Sequence, residues 1–354
     1  MDERIKKMAD ILVNYSIEAK KGDRVQIVTE YDAKELALEC YRICVKNGAF
    51  PSIDVSLPGA GYIYYKYATD AQLKRFPKVA WYEVQNTDCV LYIGAEYNTK
   101  ELTSIDPKKI SLRRKITHKI QEWRVNKTRW CIFEYPTNAL AQDAEMSLEE
   151  FEDFDYGACI VDWKEESKKQ DKLKAVVDKG SKVRIIGKNT DLTFSIKGRQ
   201  GIKCDGKRNM PDGEVFCAPV DDSAEGYIEY SFPVIYGGKE VSGVRLKFHK
   251  GKVVEAHADK NEDYLIKMID TDKGSRYLGE FGIGVNYNIK KFIKQILFDE
   301  KIGGTIHLAL GSAYKEGGGK NVSAIHWDMI KDLRDGGELY IDGKLIQKNG
   351  KFLI

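Results

Sequence analysis

Asp88-Cys-Val-Leu-Tyr-Ile-Gly-Ala95 (DCVLYIGA) is a nearly continuous apolar run. A strand with one wet face alternates polar and apolar residues, whereas a strand covered on both faces does not. Arg129 to Tyr135 (RWCIFEY) has the same character. Upstream, Ile5, Met8, Ile11, Leu12 and Tyr15 recur at helical spacing over residues 2–20. Gly22-Asp23 breaks that pattern, and Arg24 to Thr29 reads as a strand. Ala33 to Asn47 reads as a helix ended by Gly48, and Phe50 to Leu57 as the next strand. Strands alternating with helical patterns favour an α/β domain with a mostly parallel sheet.

The pattern changes near residue 180. Lys164 to Lys179 is a charged helix that stops at Gly180. Short alternating strands follow, with Gly237-Gly238, Lys250-Gly251, Asp342-Gly343 and Asn349-Gly350 as hairpin turns. Helices are expected at Asn261 to Thr271 and Asn288 to Asp299, with a helical turn near Met329 to Leu333. The expected division is an α/β domain over 1–180 and a C-terminal α+β domain, rich in antiparallel strands, over 181–354. Two domains also suit 354 residues, since single cores stop growing near roughly 250–300.

Composition excludes several classes. Basic and acidic residues number 57 and 54 and are interspersed, so no footprint for nucleic acid stands out. The densest basic stretch, Arg113 to Arg129, reads first as a solvated helix face and second as a contact for an anionic partner. No apolar run approaches the ~20 residues that span a bilayer, and the N-terminus reads as an amphipathic helix, not a signal peptide. The seven cysteines form no CxxC pair; Cys89, Cys131 and Cys159 lie in apolar, strand-like runs. That usage fits a reducing cytoplasm. Gly317-Gly318-Gly319-Lys320 is followed by Asn321 where a phosphate loop needs Ser or Thr, and Gly279, Gly282 and Gly284 come in the wrong order for a dinucleotide fingerprint.

Chemistry concentrates in the C-terminal half. His307 lies in GGTIHLALGSAY, a short apolar strand bounded by glycines. His326 and Asp328 lie in NVSAIHWDMI, two residues apart and therefore on one strand face. A carboxylate among apolar neighbours needs an arginine or a metal, because burying it unpaired costs several kcal/mol. Glu214 in NMPDGEVFCAP and Glu280 in RYLGEFGIGVN are acids in similar surroundings. Each alone is as easily a structural acid. Together with the histidines and Asp328 they supply enough nitrogen and oxygen donors for two divalent cations, with Zn, Co or Mn suited to the mixture. Without thiolates the set favours a catalytic site over a closed structural one.

NMPDGEVFCAP, RYLGEFGIGVN, GTIHLALGSAY and SAIHWDMI, in that order, resemble the M29 family of metalloaminopeptidases. The resemblance implies metal ligands at Glu214, Glu280, His307, Tyr314, His326 and Asp328. It further implies release of N-terminal residues from peptides with a free N-terminus, and a homodimer. Glu214 and Glu280 are then the candidates for proton transfer, and Tyr314 is either a ligand or an oxyanion stabiliser. Cys217 stands where relatives often carry Thr. Two other readings remain open: another dinuclear metallohydrolase such as a phosphoesterase, and a peptide-binding relative without turnover.

Overall fold

Cys89–Gly94 is the central strand of a five-stranded, all-parallel sheet in the computed structural model, which describes residues 2–354. The strand order is Phe50–Ser56, Arg24–Glu30, Cys89–Gly94, Arg129–Glu134 and Asn209–Met210. Cys89, Val90, Leu91 and Ile93 are all buried, as a run without alternation requires. This sheet belongs to a first compact unit made of the residues up to Ile160 together with Gly206–Pro211. Val161–Asp205 and Asp212–Ile354 form a second unit. The helix Trp163–Lys179 belongs to the second unit, because Leu173 and Val177 pack into its core.

Helices of the first unit start where local chemistry satisfies their free N–H groups. Asp2 accepts from the Arg4 amide at 2.8 Å, and Ser147 and Glu150 form a reciprocal capping box for Leu148–Cys159. The basic stretch lies mostly on the helix Pro107–Lys127, none of whose residues is buried. Arg113 donates to the Arg75 carbonyl at 2.7 Å, and the Lys119 ammonium sits 4.5 Å from the Trp81 ring centre. Those local partners and the absence of burial suit the solvated-face reading. All seven cysteines are free. Cys159 closes a helix instead of lying in a strand. No helix among the described residues is long and apolar enough to cross a membrane.

The second unit stacks two antiparallel sheets. An eight-stranded sheet contributes Val183, Ile185, Leu192 and Phe194 to the shared core. A five-stranded sheet, ordered His326–Asp332, Thr305–Gly311, Leu278–Gly284, Glu214–Cys217 and Ile202–Cys204, contributes Val215, Phe281, Ile283, Leu308, Trp327 and Met329. Phe194 meets Phe281 edge-on at 5.1 Å between ring centres, which locks the two sheets together.

Two expected helices are corrected. Met329 to Leu333 is not a helical turn; His326–Asp332 is a strand. Trp327 and Met329 face the core and alternate with His326, Asp328 and Ile330, a period of two that outweighs the short apolar cluster. Within Asn288 to Asp299 only Ile296–Asp299 is helical. Lys294 takes a left-handed φ of 65°, and Asp299 accepts the Ile293 amide at 2.8 Å, which holds the preceding segment as a loop.

Candidate metal centre

Sheet register assembles the site on the face turned away from the core. Alternation sends Val215, Phe281, Ile283, Leu308, Trp327 and Met329 inward, so Glu214, Glu280, His307, His326 and Asp328 share the other face. Glu280 pairs with Ala309, and Ala309 with Asp328, so a single small residue separates the two acids across three strands. In the next row Gly282 lies opposite His307. A Cβ on Gly282 would stand 2.0 Å from His307 Cε1, so only glycine leaves room for this imidazole.

The side chains converge. His307 Nε2 lies 3.2 Å from both Glu214 Oε2 and Glu280 Oε1. His326 Nε2 lies 3.3 Å from Glu280 Oε2 and 3.5 Å from Asp328 Oδ2. Glu280 therefore has one oxygen on each imidazole. The far ring nitrogens are fixed by backbone carbonyls: Glu300 on His307 Nδ1 at 3.1 Å, Ser312 on His326 Nδ1 at 2.7 Å. Such contacts direct each Nε2 into the cluster. Tyr314, the remaining sequence candidate, is half exposed; its ring centre is 5.0 Å from that of His326 and 5.6 Å from that of Phe216.

Sequence reasoning missed Glu300, Lys301, Asp212 and Cys204. Lys301 is fully buried, with its ammonium 3.8 Å from Glu214 Oε1 and in close contact with the Glu300 carboxylate. Donor atoms of Glu214, Glu300 and His307 come together as one group, those of Glu280, His307 and Asp328 as a second, and those of Cys204, Asp212 and Glu214 as a third. The one available signal was the charged pair Glu300-Lys301 inside the apolar stretch ILFDEKIGG, just before the His307 strand.

Proton affinities follow from this crowding. Burial pushes the Glu214 carboxyl up to about 8 against the opposing pull of Lys301 and His307. Burial favours a neutral His307, but Glu280 and Glu214 outweigh it and hold that pKa at about 10. His326 is likewise held at about 12 against burial, by Asp328 and Glu280. Burial raises Glu280 and Asp328, yet bonding to the imidazoles leaves both carboxyls below their usual range. The carboxylates thus draw positive charge wherever they find it.

Divalent cations fit this donor set. Asp328 Oδ1 is a buried acceptor without a hydrogen bond, an expense that a cation would remove. Carboxylate and imidazole donors, with the Cys204 thiol held protonated by burial, match Zn, Co or Mn better than a soft-metal site.

A sheet face that gathers three carboxylates and two imidazoles around buried acceptors defines a candidate metalloprotein of mixed α/β architecture. The chain belongs to the thermophilic metalloprotease family M29, which matches residues 1–352. Aminopeptidase 2 of Geobacillus stearothermophilus is 24% identical over 99% of this chain and 95% of its own length. Aminopeptidase AmpS of Bacillus subtilis (strain 168) is 36% identical over 40% of this chain, and aminopeptidase T of Thermus thermophilus 32% over 41%. Those two alignments span only 38% and 40% of the relatives' lengths. Wild-type AmpT from Thermus thermophilus shares the fold with a TM-score of 0.86 at 21% identity, covering 99% of both chains. A 2,5-dihydroxypyridine dioxygenase from Pseudomonas putida KT2440 shares it more loosely, with a TM-score of 0.64 at 13% identity.

Proposed function

We propose that this chain is a metal-dependent aminopeptidase that hydrolyses the first peptide bond of peptides with a free N-terminus. The observation that carries the proposal is the convergence of Glu214, Glu280, His307, His326 and Asp328 on one sheet face, with contacts of 3.2–3.5 Å. These five residues would hold two divalent cations of the Zn, Co or Mn type. When bound, such a pair supplies Lewis acidity and lowers the pKa of a shared water.

The chain's own groups do the rest. Glu280, with an oxygen toward each imidazole, is placed to keep the two halves of the site at a fixed separation. Glu214, buried with an oxygen 3.2 Å from His307, is the carboxylate placed to accept a proton and return it to the leaving amine. His307 and His326 are oriented by the Glu300 and Ser312 carbonyls and do not turn over as bases. Tyr314, beside His326, is positioned to donate a hydrogen bond to a developing oxyanion. A cytoplasmic homodimer is the assembly and location proposed with this activity.

The test is a substrate panel with the cation-loaded protein. Aminoacyl p-nitroanilides should be cleaved, their N-acetyl counterparts and phosphate monoesters left intact. Cleavage of the phosphate esters alone would replace this reading with a phosphoesterase, and tight peptide binding without turnover would make the chain a binding protein.

A further inference from the structure

A cavity of about 550 Å³ lies against the helix Trp163–Lys179 in the second unit, and none of its lining residues is a candidate metal ligand. Small-molecule sites occupy roughly 300–1,000 Å³ and combine apolar walls with a few fixed polar groups. This cavity has both. Leu173 is buried in the core between the two sheets, and Val285 and Phe352 pack against that core. Tyr287 completes the apolar lining and is pinned at both ends. Its hydroxyl donates to the Gly350 carbonyl at 2.6 Å, and a Cβ on Gly303 would stand 2.6 Å from its Cγ.

The polar groups at the lining differ in what they still need. Glu166 and Lys169 satisfy each other at 2.7 Å. Gln170 is only 1% exposed, and its Nε2 donates to the Cys204 carbonyl at 2.9 Å. That bond fixes the amide plane. It leaves Oε1, at the opposite corner, buried and with no donor among the described residues. A buried amide oxygen left in that condition is costly, and a ligand that brings an N–H or O–H removes the cost. Lys172, two residues further along the helix, is exposed and has no ion pair among the described residues.

We propose that this cavity is a second ligand site, which takes a small aromatic acid carrying a hydrogen-bond donor. The aromatic body rests on Leu173, Val285, Tyr287 and Phe352, the donor meets Gln170 Oε1, and the carboxylate meets Lys172. Apolar burial supplies most of the affinity. Gln170 supplies the selectivity, because a ligand of the same shape without the donor leaves Oε1 unpaired. Lys172 adds a smaller, salt-sensitive contribution, as exposed charges do. The assignment is independent of the aminopeptidase reading.

The test is calorimetry on the cation-loaded protein with indole-3-propionate and its 1-methyl derivative, which keeps the shape and carboxylate and loses the N–H. Indole-3-propionate should bind with a Kd of about 1 mM or tighter. Methylation should weaken binding by about 5–100-fold. Lys172→Ala should weaken it by about 2–5-fold and remove much of its salt dependence. Asn288→Trp, at an exposed position of the lining, should close the cavity and abolish binding. Should Asn288→Trp fail to fold by circular dichroism, the methylation and Lys172→Ala results decide. No binding of indole-3-propionate, equal affinity for both indoles, or a Kd indifferent to Lys172→Ala would overturn the assignment. So would unchanged binding to folded Asn288→Trp, which would put the carboxylate elsewhere, as on the bound cations.

Discussion

Gly282→Ala adds one carbon at the point where the site has no room for it. The new Cβ would lie 2.0 Å from His307 Cε1, 2.1 Å from Nε2 and 2.8 Å from Nδ1. Carbon atoms rest about 3.5–4.0 Å apart, so the ring must withdraw by about 1.5 Å. It is fully buried and held at both nitrogens, by the Glu300 carbonyl on Nδ1 and by Glu214 and Glu280 at 3.2 Å from Nε2. Overpacking of this kind costs about 1–3 kcal/mol, offset by about 0.4–1 kcal/mol from a stiffer unfolded chain. The net loss of stability is therefore small, on the order of 1–2 kcal/mol. The functional loss is larger, because ligand distances tolerate only about ±0.2 Å and a 1 Å misplacement costs about 100-fold in rate. Gly282→Ala should fold, as judged by circular dichroism, yet lose bound cation by elemental analysis and at least about 100-fold in anilide hydrolysis. A folded variant with wild-type cation content and turnover would show that His307 does not project over Gly282.

Gly157→Ala is the contrasting case: nothing lies within 4 Å of the added Cβ, at an exposed position of the helix Leu148–Cys159. It should stabilise by about 0.5–1 kcal/mol in urea unfolding, and destabilisation would contradict the helix geometry. Lys301→Met removes the buried ammonium that contacts Glu300 closely and lies 3.8 Å from Glu214, and breaking this buried pairing should cost on the order of 3–5 kcal/mol in the chelated protein. Unchanged denaturant midpoints would mean the ammonium does not hold the two acids in place. Chelated protein should also become less stable as pH rises. His307 has its pKa raised from 6.5 to about 10, so the stabilisation from its imidazolium is complete below pH about 6.5 and is lost on passing through about 10. Glu280→Gln should flatten that decline; a midpoint that rises with pH would refute the pairing. Cation uptake must displace the same protons, so affinity measured by calorimetry should strengthen from pH 6 toward neutrality by about an order of magnitude or more.

Features that depend on short-range geometry were legible. The run Asp88 to Ala95 announced a strand covered on both faces. All four dipeptide turns adopt paired left-handed φ angles, as at Asn349-Gly350 with 48° and 72°, because a two-residue hairpin demands them. The spacing of His326 and Asp328 placed both on one face for the same reason. What failed were segments whose local pattern was ambiguous. Asn288 to Asp299 carries lysines and apolar residues at helical spacing, but Asp299 ties the chain into a loop. Met329 to Leu333 mixes apolar residues with Lys331 and Asp332, and only pairing with Thr305–Gly311 makes its residues up to Asp332 strand. Lys301 was invisible for a different reason: its meeting with Glu214 is purely tertiary, across the fold from a residue far away in sequence.

If one sheet face of the second unit holds a pair of divalent cations and uses them to cut next to a free N-terminus, activity must follow cation loading. Chelated protein is titrated with Zn, Co or Mn while hydrolysis of leucine p-nitroanilide is followed against equivalents of cation per chain. The chelated protein should be inactive, activity should rise and level off at about two equivalents, and the N-acetylated substrate should not be cleaved at any point. Full activity in the chelated protein, or none at any stoichiometry, would contradict it.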